Sequence, residues 1–291
     1  MRSIGFVGLG AMGMPMAENL LKQQFAVCGF DVRASAMQAL EALGGTSAPD
    51  AAGAARNADA LILMVVNAAQ AEAVLFDAGA LDAMAKDGIV ILMATCAPSA
   101  VRAIAARVEA TGRSLVDAPV SGGPAGAAAG SMAMMVGGDA AALERATPIL
   151  QHLTARLLHI GPSGAGQVAK LVNNLLVASH LVTAGEALRL GAAAGVAPEA
   201  LLPVLNGASG RSAVTEVNWP RWIIPGTFDS GFSAGLMRKD VGLALELARE
   251  LDVPLEATGR AALLWQELRE AVPDEADFNH LSAAILAGAK P

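Results

Sequence analysis

Tyrosine is absent from the 291 residues, and the remaining aromatics are seven Phe and three Trp. No phenol can act as a proton carrier, which excludes the Tyr–Lys chemistry of short-chain dehydrogenases. Charged residues make up only 16% of the chain, and lysine is the scarcest of the common ones: Lys22, Lys86, Lys170, Lys239 and Lys290 stand against 15 Arg. Cysteine is limited to Cys28 and Cys96, both in apolar strand-like runs without CxxC or metal-ligand spacing, so two buried thiols are expected. The four histidines form no HxH or HExxH pattern, and no metal site is expected. Long apolar runs are missing too. A spanning helix needs about 20 consecutive apolar residues, and none occurs, although 54% of the chain is hydrophobic and its mean hydropathy is +0.48. The surplus is alanine, 64 residues, and aliphatics, broken by Gly, Arg, Asp and Glu. The opening MRSIGFVGLG reads as a strand entering glycines and not as a signal peptide. A soluble cytoplasmic protein is the expectation. The net charge of −7 argues against nucleic acid and against anionic membrane surfaces as partners.

Short apolar runs alternate with amphipathic stretches through the first half. Strands are expected at 4–7, 26–30, 60–66, 88–93, 114–117, 132–136 and 156–159, with helices at 12–23, 34–43, 98–111 and 140–150. That rhythm predicts an α/β Rossmann-type domain, a parallel-rich sheet with helices on both faces. After Gly161 the pattern changes. A proline-free helical segment runs from 164 to about 194, followed by helical spacing at 198–206, 232–251 and 255–270, while 222–224 reads as helix or loop. An N-terminal domain at 1–162 and an all-helical domain at 163–291, joined by a long helix at 163–194, are expected.

The first motif follows a strand and opens a helix. Gly8, Leu9, Gly10, Ala11, Met12 and Gly13 spell G-x-G-x-x-G. Gly8 suits the tight turn, Gly10 a close approach of backbone to pyrophosphate, and Gly13 close packing of helix on strand. Asp31 stands 18 residues after Gly13 at the end of the second strand. There a carboxylate binds the ribose 2′-hydroxyl of NAD and repels the 2′-phosphate of NADP. Arg33 nearby could hold that phosphate, so NAD is favoured and NADP stays open.

A second glycine cluster, Asp117 to Pro124, follows a strand, and its small residues leave backbone N–H groups to converge on an anion, with the Ser121 hydroxyl beside them. An ordinary Gly-Gly turn fits the same letters. Lys170 lies among Val168, Leu171, Val172, Leu175 and Leu176, with Asn173 and Asn174 three and four positions on. Such a lysine either snorkels to water or is desolvated, which lowers its pKa and suits it to proton transfer. Lys239 adjoins Arg238 and Asp240, and a surface ion pair is the plain reading.

Four segments in order resemble the β-hydroxyacid dehydrogenase family: GFVGLGAMGMPMAENL its dinucleotide motif, DAPVSGGPAGAAAGSMAMMVGG its substrate signature, GAGQVAKLVNN its catalytic helix and GLMRKDVGLAL its cofactor-contacting segment. The resemblance implies hydride transfer between NAD(P) and C3 of a small 3-hydroxy carboxylate such as 3-hydroxyisobutyrate. It implies Lys170 as the acid/base, Ser121, Gly122 and Gly123 on the substrate carboxylate, and Asn174 on substrate. Val65, Val66, Gln70 and Thr95 would line the cofactor, and Lys239 would approach its nicotinamide end. A homodimer or homotetramer is implied as well. Val65-Val66-Asn67 replaces the usual Leu-Pro and is similar to the L-threonate branch. Asp274 to His280 replaces the usual closing tail, so the substrate stays open between these and the semialdehyde reductases. An imine reductase is disfavoured by Lys170, and a non-catalytic NAD-binding protein by the intact Lys170, Asn174 and Ser121 together.

Overall fold

Two runs, Ala60–Leu63 (ALIL) and Ile89–Leu92 (IVIL), are apolar at every position because both faces of their strands are covered. In the computed structural model, residues 3–289 are described, and the chain forms two compact units, one ending at Lys170 and one starting at Leu171. Among the described residues the first holds nine strands: β1 (Ser3–Val7), β2 (Ala26–Phe30), β3 (Thr46–Ser47), β4 (Ala60–Leu63), β5 (Ile89–Leu92), β6 (Ser114–Asp117), β7 (Val120–Ser121), β8 (Met132–Gly138) and β9 (Thr154–Gly161). They form one sheet in the order β3-β2-β1-β4-β5-β6-β8-β7, with β9 on β8. Strands β1 to β6 run parallel, β8 is antiparallel to β6 and β7, and β9 is parallel to β8. The 3-2-1-4-5-6 order is that of a dinucleotide-binding sheet.

Side chains alternate across each strand. Ala60 and Ile62 of β4, with Ile89 and Ile91 of β5, enter one core; Leu61, Leu63, Val90 and Leu92 enter the other. The helices that cover these faces are α1 (Gly13–Lys22), α2 (Ala34–Ala42), α3 (Ala51–Ala55), α4 (Ala68–Glu72), α5 (Ala80–Ala83), α6 (Pro98–Glu109), α7 (Gly123–Ala129) and α8 (Ala140–Leu150), plus a π-helical turn at Ala73–Asp77. Helix α6 shows the rule. Val101, Ile104, Ala105 and Val108 recur at i, i+3, i+4 and i+7 and are buried. Each large aliphatic so buried contributes about 1.5–3 kcal/mol.

Helix α9 (Ala165–Ala193) begins in the first unit and continues into the second, which adds α10 (Pro198–Asn206), a π-helical segment at Val214–Ile223, α11 (Ala234–Glu250), α12 (Ala257–Glu267) and α13 (His280–Ala287). Leu171, Leu181 and Leu188 of α9 pack in one core with Trp219, Trp265 and Leu281, all fully buried. The Trp265 indole N–H donates to the Ala178 carbonyl at 3.2 Å, which satisfies its one polar atom. Among the described residues, no helix is long and apolar enough to cross a membrane.

The class and order of the main elements follow the sequence reading, and several details differ. β4 stops at Leu63, so Val65 and Val66 lie in the following loop. Cys96 is buried but lies in the loop after β5, and Cys28 is only half-buried, on β2 next to the two-residue edge strand β3. Its thiol pKa is raised by that partial burial. The stretch 222–224 closes the π-helical segment. Helices α3, α4, α5, α7 and α13 were not legible as periods.

Candidate active site

β1 delivers the chain to Gly8, whose φ of +96° only glycine adopts freely; a Cβ there would overlap the Met64 carbonyl. A Cβ on Gly13 would overlap the Gly8 carbonyl, so Gly13 lets α1 meet the turn. Gly10 is different. A Cβ there would have only Arg33 Nη2 near it, at 3.9 Å, so nothing in the protein demands glycine. The first N–H groups of α1 have no intrahelical acceptor, and no side chain caps this helix at Met12. An open cradle of glycine beside an uncapped helix N-terminus fits a pyrophosphate. Leu9 is buried, Ala11 exposed and Met12 half-buried around it.

Asp31 follows β2 directly. Its carboxylate accepts from the Leu9 N–H at 2.8 Å, the Arg33 N–H at 3.0 Å and Arg33 Nε at 2.9 Å, while Arg33 Nη2 donates to the Leu9 carbonyl at 3.1 Å. Partial burial pushes the Asp31 pKa up, but the Arg33 side chain and the two backbone N–H groups outweigh it, and the net shift is downward. The carboxylate is thus held as an anion beside the glycine turn. In the loop after β4, the Val66 N–H donates to Gln70 Oε1 at 2.9 Å, and the Gln70 N–H to Asn67 at 2.9 Å. This brings Val65, Val66 and Gln70 into one turn with Val65 half-buried. Thr95 is half-buried in the loop after β5.

β6 ends at Asp117, and the chain then reaches Ser121, which pairs with Ala133 of β8. Gly122 and Gly123 follow with φ of +137° and +62°, a backbone path closed to other residues without strain. Ser121 is half-buried at the start of this path. Asp117 is fully buried, and its carboxylate accepts from the Gly164 N–H at 2.7 Å and the Gln167 N–H at 3.0 Å, capping α9 from a distant strand. Burial pushes its pKa up against the pull of these backbone N–H groups, and the net shift is upward. Gln167, also fully buried, accepts from the Cys96 N–H and donates to the Ala94 carbonyl, both at 2.9 Å. Lys170, one turn further along α9, is buried at 8% exposure. Most of its surface is therefore withdrawn from solvent.

In the second unit Asn174 is buried; its amide donates to Asp240 Oδ2 at 2.6 Å and accepts from Asn173 at 3.1 Å. Asp240 Oδ1 lies 3.2 Å from Lys239 Nζ. The expected surface pair is therefore a pair with a buried carboxylate, because Asp240 is 2% exposed and faces Asn174. Arg238 does not share Asp240. It is buried and donates to Asp274 and to the Trp265 and Val272 carbonyls. The structure thus links Asn174 with Lys239 through Asp240, a link the sequence reading missed. Asp117 and Gln167 were missed as well, their one local signal being a polar residue inside an apolar run.

The 3-2-1-4-5-6 strand order with its glycine turn and Asp31 defines a dinucleotide-binding fold. Residues 3–161 match the model of the NAD binding domain of 6-phosphogluconate dehydrogenase, and residues 164–285 that of the NAD-binding region of NADP-dependent 3-hydroxyisobutyrate dehydrogenase. The chain is 39% identical over 289 residues to the NAD-dependent L-serine dehydrogenase of Pseudomonas aeruginosa, covering 96% of each chain. It is 38% identical over 264 residues to the 2-(hydroxymethyl)glutarate dehydrogenase of Eubacterium barkeri, covering 90% of this chain and 88% of that one. The structure of Mycobacterium tuberculosis 3-hydroxyisobutyrate dehydrogenase with L-serine matches at a TM-score of 0.91 and 32% identity, over 98% of this chain and 99% of that one. The chain belongs to the β-hydroxyacid dehydrogenase family.

Proposed function

We propose that the protein oxidises the C3 hydroxyl of a small 3-hydroxy carboxylate, reversibly, with NAD preferred over NADP. The observation that carries this is the burial of Lys170 on a helix tied through Asp117 to the strand that leads into Ser121, Gly122 and Gly123. The Ser121 hydroxyl and the backbone of Gly122 and Gly123 hold the substrate carboxylate. The hydroxyl one carbon further along then reaches Lys170, whose neutral amine takes its proton during oxidation and returns it during reduction. Asn174 donates to the substrate one helical turn beyond Lys170. Gly8 to Gly13 would hold the cofactor and Asp31 its ribose, and its nicotinamide would supply the carbon that exchanges hydride with C3. Val65, Val66, Gln70 and Thr95 line its path, and Lys239 serves its nicotinamide end. L-serine appears with two of the similar proteins, which supports a short, polar 3-hydroxy acid. A cytoplasmic homodimer or homotetramer completes the reading.

Lys170→Ala tests it. General acid–base help contributes about 10²–10⁴-fold, so kcat should fall by that order while NADH still binds. Turnover near the wild-type rate would sink the assignment. A steady-state panel of L-serine, 3-hydroxyisobutyrate, 3-hydroxypropionate, D-glycerate, L-threonate and 2-(hydroxymethyl)glutarate, each with NAD and NADP, identifies the substrate.

A further inference from the structure

Three segments proposed to meet at the reaction centre lie at the ends of different strands: Thr95 after β5, Ser121–Gly123 at the end of β7, and the start of α9 after β9. Two fully buried polar side chains join them. Asp117 holds the Gly164 and Gln167 N–H groups of the α9 N-terminus, 47 and 50 residues away in sequence. Gln167 reaches 71 and 73 residues back, to the Cys96 N–H and the Ala94 carbonyl that flank Thr95. The packing leaves no slack. Gly137 faces Asp117 across the β6–β8 ladder, and a Cβ on it would lie 2.5 Å from the Asp117 carboxylate. A Cβ on Gly166 would lie 2.5 Å from the Met135 carbonyl. Gln167 and Lys170 are three positions apart on α9, so they share a side of the helix.

A cap satisfies N–H groups of the first turn of a helix, which have no intrahelical acceptor. Asp117 provides it, and Gln167 then adds a second tie to a different loop. The second tie does nothing for the cap. It fixes the rotation of the first turns of α9 against the loop that carries Thr95.

We propose that Asp117 and Gln167 are positioning residues of the reaction, which set where the Lys170 amine stands relative to the Thr95 and Ser121–Gly123 loops. This rests on the reading of Lys170 as acid/base. The polar atoms of both side chains are taken up by backbone groups. Their contribution is the geometry of proton transfer, for which a misplacement of about 1 Å costs on the order of 10²-fold.

The test replaces Gln167 with methionine, which keeps the length and removes both hydrogen bonds. Turnover is measured per NADH-binding site, alongside KM, NADH affinity, the thermal midpoint and the primary isotope effect with substrate deuterated at C3. For Gln167→Met we expect kcat per site to fall about 10- to 100-fold, with KM and NADH affinity within about threefold. Gln167→Glu keeps an acceptor for the Cys96 N–H and should recover part of the loss. A merely structural role predicts a lower midpoint with kcat per site unchanged, and that result overturns the inference. If Gln167→Met yields no folded protein, Asp117→Asn decides, since it keeps the shape and puts an N–H group where an acceptor stood: kcat per site equal to wild type overturns the inference, and a fall of tenfold or so supports it. Lys170→Ala run in parallel separates the two failures. Near-normal turnover there removes the reading on which the inference rests. An inactive Lys170→Ala beside a fully active Gln167→Met removes the positioning role alone.

Discussion

Gly10→Ala separates a glycine kept for a ligand from one kept for packing. The nearest protein atom to the new methyl is Arg33 Nη2 at 3.9 Å, an ordinary contact, and Gly10 is not among the glycines with positive φ. The substitution should therefore leave stability within about 0.5 kcal/mol of wild type, or raise it slightly by restricting the unfolded chain. The same methyl projects into the space where the backbone would meet a pyrophosphate. Cofactor affinity should fall by at least about tenfold, a loss near 1.4 kcal/mol. Gly13→Ala is the control. Its methyl overlaps the Gly8 carbonyl, so strain of about 1–3 kcal/mol is expected and both stability and binding should suffer. NADH fluorescence titration and thermal melts on both variants give the answer. Gly10→Ala with unchanged NADH affinity would refute the cradle, and a collapsed midpoint in that variant would refute the packing analysis.

Three more expectations follow from named contacts. Asp31 has a lowered pKa, so the stability from its pairing is present above the unfolded value of about 4 and is lost as pH falls through the folded value. The midpoint difference between wild type and Asp31→Asn should be flat through neutral pH and vanish in acid; a difference that changes around neutrality would contradict the pairing. Asp31→Asn also frees Arg33 from its Nε contact at 2.9 Å, and the ratio of NADP to NAD affinity should rise by about tenfold, read by competition against NADH. Arg238→Met leaves the buried Trp265 and Val272 carbonyls without their donor and should cost about 2–4 kcal/mol. Urea unfolding followed by tryptophan fluorescence would expose the error if the loss stayed under about 1 kcal/mol.

The parts legible in advance are those whose signal is local. A strand, G-x-G-x-x-G and a helix lie within 20 residues, and Asp31 follows at the next strand end. The amphipathic period of α6 needs only its own dozen residues, and the proline-free length of α9 is visible letter by letter. Elements of two to five residues, such as β3, β7, α3, α4 and α5, are too short for their pattern to repeat. Helix α13 reads HLSAAILA, with too little polar contrast to show a face. Cys28 looked buried because its neighbours are apolar, and only the sheet order put it beside a two-residue edge.

The sequence by itself determined the class of fold, the dinucleotide turn and which lysine lies in an apolar helix, since each depends on neighbours in the chain. The tertiary structure decided which polar residues serve them. Asp117, Gln167 and Asp240 find their partners 47 to 73 residues away, at 2.6–3.0 Å. A buried polar group must be paired to be tolerated, but the identity of its partner is set by strand order and helix docking. No local pattern of letters records those.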